Sequence, residues 1–132
     1  MMPPMFDPQT LGADPRTVLL VDDDPAVLNA LRFSLETDGF TVAAYGDGGA
    51  ALAAQDAPGY AYAVLDYNMP GLSGLELLSC LRAQGLAAPA VLMTSNPSRD
   101  LRARVLAAGA ELLEKPLLGD IVNERVRAAL SH

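Results

Sequence analysis

Tryptophan is absent from this chain of 132 residues, cysteine and histidine occur once each, and basic side chains are few. A lone cysteine, Cys80, can close no internal disulfide, and with only His132 beside it there is no set of soft ligands for zinc. Sixteen acidic side chains against nine basic ones give a net charge of −7, which argues against direct nucleic-acid binding through a basic face. No apolar run approaches the roughly 20 residues of a membrane span. The opening MMPPMFDP has neither a basic stretch nor an apolar core, so it does not read as a secretory signal. These absences predict a soluble protein of the reducing cytoplasm, partnered neither by nucleic acid nor by a membrane. What is present is apolar: 51% of the residues are hydrophobic, enough for one folded domain with its own core.

Residues 1–15 are proline-rich and aperiodic and read as a flexible N-terminal tail, leaving 16–132 as a single domain. From Arg16 onward, short apolar runs alternate with helical patterns. Thr17 to Val21 reads as a strand covered on both faces. Asp24 offers an N-cap with Pro25 at the first helical position, Val27, Leu28, Leu31 and Leu35 recur at helical spacing, and Gly39 ends the helix. Phe40 to Tyr45 predicts a second strand, and GDGG a turn into a helix over Ala50 to Gln55. Tyr60 to Leu65 predicts a third strand closing on Asp66, and after the loop NMPGLSG a helix faces Leu75, Leu78 and Leu81 inward. Ala90 to Thr94 is a fourth strand, followed by a helix through Leu101, Val105 and Leu106 that Gly109 stops. Glu111 to Glu114 is a short fifth strand, and a last helix spans about Gly119 to Leu130. Five strands alternating with five helices predict an α/β, doubly wound parallel sheet with right-handed crossovers. Ligands of such sheets sit beyond the carboxyl ends of the strands.

Those ends carry ionic chemistry. The first strand ends in Asp22, Asp23 and Asp24, the third in Asp66, the fourth in Thr94-Ser95, and the fifth leads into Lys115. Two carboxylates about 4 Å apart repel by about 4 kcal/mol at an effective dielectric of 20, so the cluster calls for a cation. Oxygen ligands without His or Cys favour a hard ion, and magnesium is the cytoplasmic candidate. Taken singly, each residue has a plainer role: acidic residues cap helices, Asp66 could simply make a turn, and Thr94 could bond its own backbone. Lys115 is the one lysine among eight arginines, and its place before a proline at a strand end suggests that a compact point charge is needed there.

Taken together, LLVDDDP at 19–25, VLDYNMPGLSG at 64–74, VLMTS at 91–95 and EKP at 114–116 make residues 16–130 resemble the response-regulator receiver domain. The resemblance implies a single flavodoxin-like (βα)5 domain with strand order 2-1-3-4-5, an order the chemotaxis receiver exemplifies. It implies a two-component phosphoacceptor rather than an enzyme with turnover. Asp66 would accept a phosphoryl group from a sensor histidine kinase or a histidine phosphotransfer protein. Asp23 and Asp66 would bind Mg2+, with Asp22 acting through water and the Asn68 backbone carbonyl completing the protein's share. Thr94 and Lys115 would bind phosphoryl oxygens, and the Lys115–Pro116 peptide would be cis. Asn68 and Asn96 flank the site, where they would tune the lifetime of the aspartyl phosphate.

The implied switch draws Thr94 toward the phosphoryl group and alters the face of the fourth helix, fifth strand and fifth helix (α4–β5–α5). Through that face the domain would signal to a downstream protein target or an output domain, or pair with a second copy as a homodimer. Leu112 occupies the place of the family's switch aromatic, and the stretch from Gly109 to Lys115 is one residue shorter than the family pattern. Both departures predict an altered readout with intact phosphorylation. Arg99, Arg102 and Arg104 form a basic patch on the fourth helix, read as a solvated face or as a contact for acidic groups of a partner. Cys80 reads as a small packed side chain. Two other readings stand beside the switch. A phosphatase of the haloacid-dehalogenase type would need a second Asp where Asn68 stands. A degenerate receiver would lack one of the five site residues, and all five are filled. No output domain is expected after residue 130, so the chain reads as a single-domain regulator or a fragment of a longer one.

Overall fold

A computed structural model describes residues 17–117 and 119–130. The reading of 1–15 as a tail, and His132, lie outside the described residues. In chain order the elements are β1 (Thr17–Val21), α1 (Pro25–Thr37), β2 (Thr41–Tyr45), α2 (Gly48–Ala54), β3 (Tyr62–Asp66), α3 (Gly74–Ala83), β4 (Ala90–Thr94), α4 (Arg99–Ala107), β5 (Glu111–Glu114) and α5 (Ile121–Leu130). All strand pairs are parallel, in the order β2-β1-β3-β4-β5.

Side chains alternate across the strands, and the core divides accordingly. Leu19, Val21, Ala63, Leu65 and Leu92 meet Ala51 of α2, Leu77, Leu78 and Leu81 of α3, and Leu101 and Val105 of α4 on one face. Val18, Leu20, Tyr62, Val64, Val91 and Met93 meet Leu35 of α1 and Val122 and Val126 of α5 on the other. Helices on both faces explain why β1, β3 and β4 read as continuous apolar runs.

Local differences from the sequence reading have local causes. Helix α2 begins two residues early because the Asp47 side chain accepts from the Ala50 N–H at 2.7 Å, an N-cap that admits both glycines after it. Strand β3 begins at Tyr62 because Ala57–Gly59 form a turn of 3-10 helix, a piece the composition did not announce. In α3 it is Leu77 that joins Leu78 and Leu81 in full burial, with Leu75 half-buried beside them. Leu106 does not face the core: it is 76% exposed on the outer side of α4. Cys80 is half-buried and free. Within the arginine patch, Arg102 reaches Glu114 at 3.9 Å and Arg104 reaches Asp100 at 3.7 Å, so both find acidic partners in their own chain.

One polar cluster ties α1 to α5. Asn123, 3% exposed, takes a place in the apolar stripe of α5. Its Nδ2 donates to the Ser34 carbonyl at 3.2 Å and to Asp38 Oδ2 at 2.9 Å, while its Oδ1 accepts from Ser34 Oγ at 3.2 Å. Arg127 then pairs with Asp38 and with Asp120. A buried amide satisfied this fully fixes one register between the two helices.

Candidate functional site

Strand register assembles the site. Val21 lies opposite Leu65, so Asp22, one residue past β1, stands beside Asp66 at the end of β3. Asp66 pairs with Met93, which leaves Thr94 one step further out on β4. Thr94 pairs with Glu114, and the next residue, Lys115, donates its N–H to the Thr94 carbonyl at 2.8 Å. Neighbouring strands lie about 4.8 Å apart, so a group on β5 needs a side chain about as long as lysine's to reach β3. Lys115 spans that distance: its Nζ lies 3.2 Å from Asp66 Oδ1 and 3.3 Å from Asp22 Oδ2. The Lys115–Pro116 peptide is cis.

Asp22, Asp23 and Asp66 each offer a carboxylate oxygen, and the three oxygens lie within 4.8 Å of one another. Asp22 and Asp66 are buried, at 0% and 2% exposure, whereas Asp23 is exposed. The cluster is therefore walled by protein on one side and open to water on the other. Asp22 Oδ1 is held by the Asp24 N–H at 2.9 Å, while the Asp24 side chain caps α1 at the Ala26 N–H. Asp66 Oδ1 accepts from Lys115 Nζ and from the Asn68 N–H at 3.3 Å, and among the described residues no donor is seen on its Oδ2. One carboxylate oxygen is thus fixed by donors and the other is free to bond. Three carboxylates against one ammonium leave an excess of negative charge, and the donors are all hard oxygens. That set fits a small divalent cation such as magnesium, which keeps water in its remaining positions.

The electrostatics follow from that charge. Burial, then the neighbouring Asp22 carboxylate, push the Asp66 carboxyl up from 3.8 to about 6 against the pull of Lys115 and the Asn68 amide. Burial draws the Lys115 ammonium down, but the charges of Asp22 and Asp66 outweigh it and the net shift is upward. Because Asp66 binds its proton more tightly folded than unfolded, its contribution to stability is full below about pH 3.8 and lost as pH rises through about 6. In chelator, wild-type stability should therefore fall between about pH 4 and pH 7 by a margin absent from Asp66→Asn. Added magnesium should recover that margin at neutral pH. Denaturant titrations across that range, with both variants, measure it; parallel curves would contradict the shift.

Two contacts at the site had no signal in the sequence. Asn68 was expected to give its backbone carbonyl and to flank the site, but not to accept the Thr94 hydroxyl through its side chain, as it does at 2.8 Å. Gly74, first residue of α3, lets that helix abut the end of β3. A Cβ there would lie 2.6 Å from the Asp66 carbonyl oxygen, 2.8 Å from Leu92 Cδ2 and 2.9 Å from Tyr67 Cα. Gly74→Ala must displace the Asp66 backbone, with an expected loss of about 1–3 kcal/mol. Unfolding curves check it, and a variant as stable as wild type would refute the packing argument. Leu112 is half-buried against the face carrying α3 and α4, opposite Leu92 in the sheet.

The family model for the response regulator receiver domain matches residues 18–127. The chain is 39% identical over 128 residues to the C4-dicarboxylate transport transcriptional regulatory protein DctD of Pseudomonas aeruginosa, covering 95% of this chain and 26% of that protein. It is 33% identical over 114 residues to the transcriptional regulatory protein FixJ of Bradyrhizobium diazoefficiens, covering 86% of this chain and 56% of that one. The chain thus spans about half the length, or less, of these curated relatives. Among solved structures, the CheY-like response regulator receiver domain protein of Methanospirillum hungatei superposes with a TM-score of 0.80 at 27% identity, over 87% of this chain and 93% of that one. With its 2-1-3-4-5 sheet and an acidic cluster at the strand ends, this chain belongs to the response regulator receiver domain family.

Proposed function

We propose that the chain is a phosphorylatable switch in which Asp66 accepts a phosphoryl group from a phosphohistidine of a sensor kinase or a phosphotransfer protein. The observation that carries this reading is the asymmetry of Asp66: buried, ionised above about pH 6, one oxygen held by Lys115 and Asn68 and the other without a donor among the described residues. Asp66 Oδ2 attacks phosphorus, a P–O bond forms as the P–N bond breaks, and the departing electron pair returns to the imidazole nitrogen. Asp22, Asp23, Asp66 and the Asn68 carbonyl would hold Mg2+, which supplies a positive charge to the phosphoryl oxygens. Lys115 gives a second positive charge to those oxygens, and Thr94 a hydroxyl donor. Burial of Asp22 and Asp66 keeps these charges in a medium where they count for more than in water.

Signal output would use the α4–β5–α5 face, toward a downstream protein, an output domain or a second copy. Leu112 on β5 stands where the family pattern has an aromatic, so the readout on that face differs from the aromatic rotation. Among the described residues no helix is long and apolar enough to cross a membrane, and cytoplasmic work beside a kinase suits the reading. The test is incubation with magnesium and acetyl phosphate followed by intact-mass measurement. One added phosphoryl group on wild type and none on Asp66→Asn supports the proposal; an equal adduct on both, or none on either, refutes it.

A further inference from the structure

We infer that the Asn68 side chain is a resting-state tether on Thr94, and that its release is a step in the switch; the inference deepens the function proposed above and rests on it. Thr94 is 1% exposed, and its hydroxyl has two partners. Oγ1 accepts from the Asn96 N–H at 3.3 Å and donates its one proton to Asn68 Oδ1 at 2.8 Å. The direction of the second bond follows from the atom it meets: Asn68 Oδ1 is an acceptor only, so the hydroxyl must give it its single proton. A hydroxyl already donating to Asn68 cannot donate to a phosphoryl oxygen on Asp66. Asn68 and the phosphoryl group therefore compete for a single proton.

The competition is uneven. The amide oxygen of Asn68 is neutral, and a phosphoryl oxygen is anionic, so the new bond is roughly twice as strong as the one it replaces. The tether still costs the phosphorylated state the free energy of one neutral hydrogen bond, equivalent to roughly a two- to tenfold shift in the switching equilibrium. Asn68 is well placed to feel the exchange. Its N–H reaches Asp66 Oδ1 and its side chain reaches Thr94, so the loop after β3 and the loop after β4 are joined through this one residue. Since the residue is exposed, the bond adds little to folding, and its removal acts on the equilibrium rather than on the fold. Asn68 is thus a positioning residue for Thr94.

A double-mutant cycle over Asn68→Ala and Thr94→Ala tests the tether, with beryllium fluoride plus magnesium as the phosphoryl mimic. Asn68→Ala should bind beryllofluoride roughly two to ten times more tightly than wild type, and should change nothing in the Thr94→Ala background. The same gain in both backgrounds, or weaker binding by Asn68→Ala, would overturn the inference by sending the effect through the metal or the attacking oxygen instead. A second readout needs no phosphoryl chemistry: in chelator, amide hydrogen exchange at Asn96 should be faster in Asn68→Ala than in wild type. Unchanged exchange overturns the tether even where wild type takes up beryllofluoride. Wild type that binds no mimic would instead sink the proposed function, while Asn96 exchange still decides the tether.

Discussion

Replacing Asp66 with asparagine should leave a folded chain that takes no phosphoryl group from acetyl phosphate, where the proposed function has the wild type gain one. The amide has nearly the same shape but no anionic oxygen to attack phosphorus. The same change should make the metal-free protein more stable at neutral pH. Asp66 is 2% exposed beside the fully buried Asp22, and its carboxyl is pushed up to about 6. Its negative charge is therefore a net cost to the fold, and the neutral amide removes a cost on the order of 1–3 kcal/mol. Lost function with gained stability is the signature of a charge kept for chemistry. Intact-mass measurement and urea titration in chelator read the two halves. A less stable variant would mean that the ion pair with Lys115 outweighs burial and the repulsion from Asp22.

Lys115→Met should have the opposite effect on stability and a comparable effect on function. Lys115 lies 3.3 Å from Asp22 and 3.2 Å from Asp66, and is the one cation in contact with either carboxylate among the described residues. Methionine fills most of the volume and leaves two buried carboxylates facing each other. Removing one partner from a buried pair costs about 3–5 kcal/mol, and the partial exposure of Lys115 places the expectation near the lower figure. The loss should be largest near pH 8 in chelator and shrink on acidification, because protonation removes the stranded charges. Magnesium should recover much of it. Phosphoryl uptake should slow by about a hundredfold or more, the usual cost of one donor to a charged transition state. Lys115→Arg should recover part of the stability but little of the rate, since a planar fork does not replace a compact ammonium at the end of a narrow reach. A loss under about 1 kcal/mol that ignores pH would show that solvent screens the pair.

How far the chain could be read before folding depended on which physical rule governed each residue. Two-sided burial leaves an unmistakable mark, so β1, β3 and β4 were legible as apolar runs and their carboxyl ends as the place for Asp22, Asp66 and Thr94. Lys115 was legible as the one lysine among eight arginines, placed before a proline at a strand end, though its reach to Asp22 and Asp66 was not. Boundaries set by single hydrogen bonds were less visible. The cap at Asp47 moved the start of α2, and the 3-10 turn at Ala57–Gly59 delayed β3. Contacts between distant segments left no trace at all: nothing in the spacing of Asn68 and Thr94, or of Ser34 and Asn123, says that each pair shares a hydrogen bond. Gly74 looked like one more loop glycine until the helix it opens was seen to press on the Asp66 backbone.

The amide of Asn123 has a consequence for where the molecule can give way. Sliding α1 along α5 would strand both ends of that buried amide, at a cost of several hydrogen bonds together. Helices α1 and α5 therefore behave as a single stiff plate behind the sheet, anchored where the polypeptide is least able to shift. Under the function proposed above, a change at Asp66 would then be taken up on the β4 side of the sheet, where the Thr94 hydroxyl exchanges partners.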